Sequence, residues 1–158
     1  MITQTTNANV LVVDDEDGMR QVEQRMLERA GYDVVGARDG AEAIQLADGR
    51  RPFDLVIADM AMPVMDGSEM ARRLRAKQPD LKVLFVTGYA DRLFDSKRIL
   101  AEGEAYLDKP FTYLGLLEAV SLLLCGHLEH VESEETASAA DVLACPARPV
   151  GAQILAWD

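Results

Sequence analysis

Four short apolar runs in this chain each end on a residue that carries chemistry, and this pattern narrows the fold more than any other feature. Val10-Leu11-Val12-Val13 ends in Asp14-Asp15, and Leu55-Val56-Ile57-Ala58 ends in Asp59. Val83-Leu84-Phe85-Val86 ends in Thr87, and Ala105-Tyr106-Leu107-Asp108 ends in Lys109. Short apolar runs bounded by turn residues read as strands buried on both faces, as in a parallel sheet. Ligands of such sheets bind beyond the carboxyl ends of the strands. The pattern therefore predicts one rim bearing three carboxylates, a hydroxyl and an ammonium, the makings of a divalent-metal and phosphate site.

Between the runs lie segments of helical periodicity. Met19, Val22, Met26, Leu27 and Ala30 recur at helical spacing, with Gly31 as the expected C-cap. A second strand is expected over residues 33–37 and a helix around 41–47, with Ala43, Ile44 and Ala47 inward and Gly49 ending it. The loop Met60 to Gly67 carries Pro and Asp-Gly punctuation, and a helix over 68–77 places Met70, Ala71 and Leu74 inward before Pro79 stops it. A polar fourth helix is expected near 92–102. A fifth, over 112–125, carries Leu114, Leu117, Val120 and Leu124. Five strand–helix units with right-handed crossovers predict a three-layer α/β sandwich.

Composition removes several function classes. The hydrophobic share of 49% is ample for one core, and 158 residues suit one domain with an appendage. The formal net charge is −11, spread as 15 basic and 21 acidic residues over 1–126 and 1 and 6 over 127–158. Nucleic-acid binding needs clustered Lys and Arg, so direct DNA binding is not expected. No apolar run approaches the roughly 18 residues that span a bilayer, and the start of the chain lacks the basic and apolar segments of a secretion signal. A cytoplasmic protein without membrane association is expected, with Cys125 and Cys145 as reduced thiols. Cys125, His127, His130 and Cys145 lack zinc-finger spacing, and read more simply as a helix-end cysteine and exposed histidines.

Taken singly, the rim residues have bland readings. An Asp after a strand is usually a turn former, Asp66-Gly67 a turn, and Lys109 a solvated lysine. Together and in order, Asp14-Asp15-Glu16, Asp59 with Met62-Pro63 and Asp66-Gly67, Thr87-Gly88, and Lys109-Pro110-Phe111 closely resemble the receiver domain of bacterial two-component response regulators, over about residues 8–126. The resemblance implies a flavodoxin-like, doubly wound five-stranded parallel sheet of strand order 2-1-3-4-5. It also implies that Asp59 is the phosphoacceptor, since a carboxylate is a competent nucleophile toward phosphorus. The donor would be a sensor histidine kinase or a histidine phosphotransfer protein. Mg2+ (or Mn2+) would be held directly by Asp15 and Asp59, through water by Asp14, and by the backbone carbonyl of Ala61. Lys109 would neutralise phosphoryl oxygens, and Thr87 would donate a hydrogen bond to the attached group. The family usually has a cis Lys-Pro peptide at this place, which Pro110 permits.

On the output side, Tyr106 matches the family's switch aromatic, which turns inward when Thr87 moves. The face formed by the fourth helix, fifth strand and fifth helix would then contact an unknown downstream protein. Its bland reading is an aromatic with a wet hydroxyl end. Ala61 and Tyr89 flank the expected phosphoryl pocket; small Ala61 opens a path for water and bulky Tyr89 narrows one. Thr87-Gly88-Tyr89-Ala90 is similar to receivers attached to hybrid sensor kinases. Such a domain catalyses only its own aspartyl phosphorylation and dephosphorylation, so it is not an enzyme in the sense of external turnover. Residues 127–158 form an acidic tail with room for a short helix but no DNA-binding output domain. Its apolar tip, Ile154–Trp157, could dock on the receiver or on a second copy, making a homodimer possible. Two rivals remain. A phosphatase of the haloacid dehalogenase type would need a D-x-D on its first strand, where this chain has adjacent Asp14-Asp15. A phosphate-independent pseudo-receiver would not need intact Asp59, Thr87 and Lys109.

Overall fold

The strands form where β-branched and leucine residues run together, and the helices where alanine, leucine, glutamate and arginine take over. The computed structural model describes residues 7–49, 51–88 and 102–125. Its strands are β1 (Asn9–Val13), β2 (Asp33–Ala37), β3 (Leu55–Asp59), β4 (Lys82–Thr87) and β5 (Glu104–Asp108). All neighbours pair in parallel, in the order β2-β1-β3-β4-β5. The expected doubly wound sheet is thus the observed one.

Four helices are described: α1 (Asp17–Arg29), α2 (Gly40–Asp48), α3 (Gly67–Lys77) and α4 (Tyr113–Cys125). Successive strand residues point to opposite faces, and both faces are buried. Leu11, Val13, Val56, Ala58, Val83 and Phe85 pack with Met70 and Leu74 of α3 and Ala43 of α2. Val10, Val12, Leu55, Ile57, Leu84 and Val86 pack with Leu27 of α1 and Leu116, Leu117 and Val120 of α4. Helices on both faces of one sheet give the three layers. Among the described residues, no helix is long and apolar enough to cross a membrane.

The helix ends follow local chemistry. Gly31 stands at φ 96°, where its N–H binds the Glu28 carbonyl while the Tyr32 N–H binds that of Leu27. This paired pattern closes α1 and requires the left-handed conformation that glycine adopts without strain. Asp39 and Asp66 cap α2 and α3, accepting from the N–H groups of Glu42 and Glu69 at 2.8 Å each.

Two helix faces differ from expectation. Val22, expected inward, is exposed, and the buried residues of α1 are Glu23 and Leu27. The two lie four residues apart and so share a stripe; an acidic side chain masks it from a reading based on apolar residues alone. Leu114, also expected inward, is exposed, while Leu116, Leu117 and Val120 are buried. With six leucines in α4, apolar periodicity cannot fix which of them face the sheet. Cys125 closes α4, and the expectation of reduced thiols turns on Cys145, which lies outside the described residues. The helix expected near 92–102, Tyr89, and residues 127–158 with His127, His130 and Cys145 lie outside the described residues.

Candidate functional site: an acidic rim with one lysine

The parallel order brings the carboxyl ends of β1, β3, β4 and β5 to one edge, and the loops that follow fix each side chain. Asp14 follows β1 and extends its pairing, donating its N–H to the Ala37 carbonyl at 3.2 Å. Its Oδ1 accepts from the Glu16 N–H at 2.8 Å, and its backbone carbonyl accepts from Arg20 Nη1 at 2.8 Å. Asp14 is 1% exposed, whereas Asp15 faces solvent. Asp59 closes β3, with Oδ1 accepting from the Ala61 N–H at 3.1 Å.

The loop after Asp59 is tightly made. The Met65 N–H donates to the Pro63 carbonyl at 2.7 Å, with Val64 between them at φ 70°. A left-handed φ is a costly conformation for a β-branched residue, and Val64 is fully exposed at its tip. Gly67, read from sequence as part of a turn, has a second task. A Cβ there would lie 2.5 Å from the Asp59 carbonyl oxygen, so α3 approaches the end of β3 only because this residue has no side chain.

Thr87 ends β4 and is buried, and its carbonyl accepts from the Lys109 N–H at 2.8 Å. The Lys109-Pro110 peptide is cis, as the resemblance implied. The Lys109 Nζ lies 3.2 Å from Asp14 Oδ2 and 3.7 Å from Asp59 Oδ2. Asp14, Asp15 and Asp59 each offer a carboxylate oxygen, all within 4.8 Å of one another. Three carboxylates against one ammonium leave the rim short of positive charge.

The electrostatics record this imbalance. Burial, opposed by the Ala61 N–H and Lys109 and reinforced by Asp14 and Asp15, raises the Asp59 pKa above the ordinary carboxylate value. Burial disfavours the charge on Lys109, but Asp14, Asp59 and Glu23 outweigh it and raise its pKa. All-oxygen donors, close carboxylates and a deficit of positive charge suit a hard divalent cation that keeps waters, as Mg2+ does. The acidic cluster can therefore bind such a metal.

Other expected residues stand as follows. Ala61 is exposed, two residues beyond the end of β3. Tyr106 of β5 is half-buried, opposite Phe85 of β4 in register, with ring centroids 5.4 Å apart. Sequence reasoning passed over Arg20 and Glu23, and read Gly67 only as part of a turn. Arg20 acts on a backbone atom through space, and no motif marks it; the close approach of Gly67 to Asp59 lies between two elements; Glu23 was detectable only as an acid on an otherwise apolar stripe.

Comparison with known proteins agrees with this geometry. Residues 10–121 match the model of the response regulator receiver domain. The response regulator receiver protein CpdR of Brucella abortus is 35% identical over 115 residues, covering 73% of this chain and 95% of that protein. The sensor kinase CckA of the same organism is 38% identical over 120 residues, 75% of this chain but only 13% of that protein. Response regulator protein TrrA of Thermotoga maritima, solved in complex with Mg2+-BeF, superposes with a TM-score of 0.65 at 35% identity, covering 74% of this chain and 99% of that one. The chain belongs to the response regulator receiver domain family, and so to two-component signalling.

Proposed function

We propose that residues 8–126 form a receiver that accepts a phosphoryl group on Asp59 from a sensor histidine kinase or a histidine phosphotransfer protein, with Mg2+ (or Mn2+) bound. The observation that carries this is the convergence of Asp14, Asp15, Asp59 and Lys109 from three strand ends within a few ångströms. Asp15 and Asp59 would hold the cation directly and Asp14 through water, with the Ala61 carbonyl as a further ligand. When bound, the cation neutralises phosphoryl oxygens and offsets the carboxylates that would repel the donor.

The chain's own residues do the rest. An Asp59 oxygen attacks phosphorus in line, the bond from phosphorus to the donor imidazole breaks, and that nitrogen leaves with the electron pair. Lys109 supplies charge to the equatorial oxygens. Thr87 donates its hydroxyl to the attached group, and Tyr106 turns inward as Thr87 moves. Ala61 and Tyr89 set the access of water and thus the lifetime of the acyl phosphate. Phosphorylation acts only by favouring one of two conformations. The face of β5 and α4, with the fourth helix expected from the sequence, would then meet a downstream protein. The TrrA complex with Mg2+-BeF supports the ligand chemistry, and the likeness to CckA and CpdR supports a kinase or relay donor. The work is cytoplasmic, with no external product turned over; neither DNA nor membrane is contacted directly, and phosphorylated copies can pair as homodimers.

Incubation with acetyl phosphate and Mg2+, followed by intact mass, tests the reading. One added phosphoryl group is expected, absent in EDTA and in Asp59→Asn. Equal gain by Asp59→Asn would move the acceptor elsewhere. Steady release of phosphate from small esters would instead favour the phosphatase rival.

A further inference from the structure

The inward stripe of α1 carries an acid that the phosphoryl chemistry above does not use. Glu23 is 1% exposed, one turn before the buried Leu27, and its Oε1 has no hydrogen-bond partner. A buried polar group without a partner costs stability, and a leucine would fill this position without that cost. The charges acting on Glu23 are those of the rim: Asp14, Lys109 and Asp59. Lys109 in turn is stabilised as a cation by Asp14, Asp59 and Glu23.

The rim gives this arrangement a purpose. Both carboxylates that hold the Lys109 ammonium, Asp14 at 3.2 Å and Asp59 at 3.7 Å, belong to the cluster that suits a divalent cation. A cation there competes for the same oxygens and repels the ammonium. Lys109 then needs an anchor that the cation does not share. Of the acids acting on it, Glu23 alone stands outside the cluster.

We propose that Glu23 is a positioning residue which, from the buried stripe of α1, keeps Lys109 aimed at Asp59 once the cation is bound. A lysine ammonium has three donors, and an Oε1 without a partner is an acceptor in waiting. Without Glu23, the flexible lysine stem is free to swing out to solvent when Mg2+ arrives. Glu23 thus touches neither cation nor phosphoryl group and acts only through Lys109. The inference rests on the proposed phosphorylation of Asp59, so its test contains a measurement independent of phosphoryl transfer.

The full chain, as wild type, Glu23→Leu and Glu23→Gln, is phosphorylated with acetyl phosphate at saturating Mg2+. Because a small misplacement of a catalytic group is costly, Glu23→Leu is expected to slow the maximal rate about tenfold. Its KM for acetyl phosphate should change little. Glu23→Gln keeps an acceptor oxygen and is expected to recover part of the loss. Independently, the two Lys109 ε-methylene protons are followed by NMR in protein carrying labelled lysine. In wild type they stay inequivalent on adding Mg2+, as in a held side chain; in Glu23→Leu they merge. Wild-type rates and unmerged signals in the variants overturn the proposal. If Glu23→Leu does not fold, Glu23→Met, which keeps the length of the side chain but has no acceptor oxygen, is read in its place with the same outcomes. A wild-type protein that gains no phosphoryl mass refutes the acceptor reading instead, while the methylene signals still decide the role of Glu23.

Discussion

The buried carboxyl of Glu23 makes the stability of this fold depend on pH in a direction opposite to that of an ion-paired acid. Burial, chiefly, with Asp14 and Asp59 adding and Lys109 opposing, raises its pKa from 4.5 to about 8. The folded state therefore holds a proton that the unfolded chain releases above pH 4.5. The stability due to this proton is complete below the unfolded pKa and is lost as pH rises through the folded one. Over that window the loss is about 1.4 kcal/mol per pH unit, or about 3–4 kcal/mol between pH 5 and 8. Glu23→Gln keeps the shape and the buried polar oxygen but cannot titrate. Urea unfolding in EDTA at pH 5, 6, 7 and 8 should show the variant gaining on wild type by that amount. Since ordinary domains have about 5–15 kcal/mol in total, the effect is readily measured. A difference between the two proteins that stays constant from pH 5 to 8 would refute the reasoning.

Other outcomes follow from the rim and its supports. Gly67→Ala drives a methyl into the Asp59 carbonyl oxygen; it should cost about 1–3 kcal/mol in urea unfolding and slow phosphorylation by displacing the acceptor. Lys109→Gln removes the ammonium beside Asp14 and Asp59, so calorimetry should show Mg2+ binding tightened several-fold while phosphorylation slows. Val64→Asn relieves a β-branched residue at φ 70° without disturbing a packed side chain, and should stabilise the fold by about 1 kcal/mol.

The rim was legible because its residues sit at the ends of continuous apolar runs, where the strand register leaves no freedom. Asp59 pairs with Val86 and Thr87 with Asp108, so once the runs are strands their ends must converge. The strand order was available through the family likeness rather than from the runs themselves. Finer matters were hidden. Nothing local distinguishes buried Asp14 from exposed Asp15. Val22 and Glu23 exchanged their expected places because helical periodicity tolerates a rotation of one residue, and only packing on the sheet decides it. The close approach of Gly67 to Asp59 is a property of two elements together, and Asp-Gly in isolation says only that the chain turns.

Arg75 binds the Leu81 carbonyl, the Glu102 carbonyl and the Glu104 carboxylate, fastening the outermost strand at the end remote from the rim. Asp14 and Lys109, which meet at 3.2 Å, stand 95 positions apart in the chain. A nascent or damaged chain lacking a seated β5 would thus keep its three acids yet lack their ammonium. If Asp59 takes a phosphoryl group as proposed, competence to do so would report that β5 has been seated, and unfinished copies would stay silent.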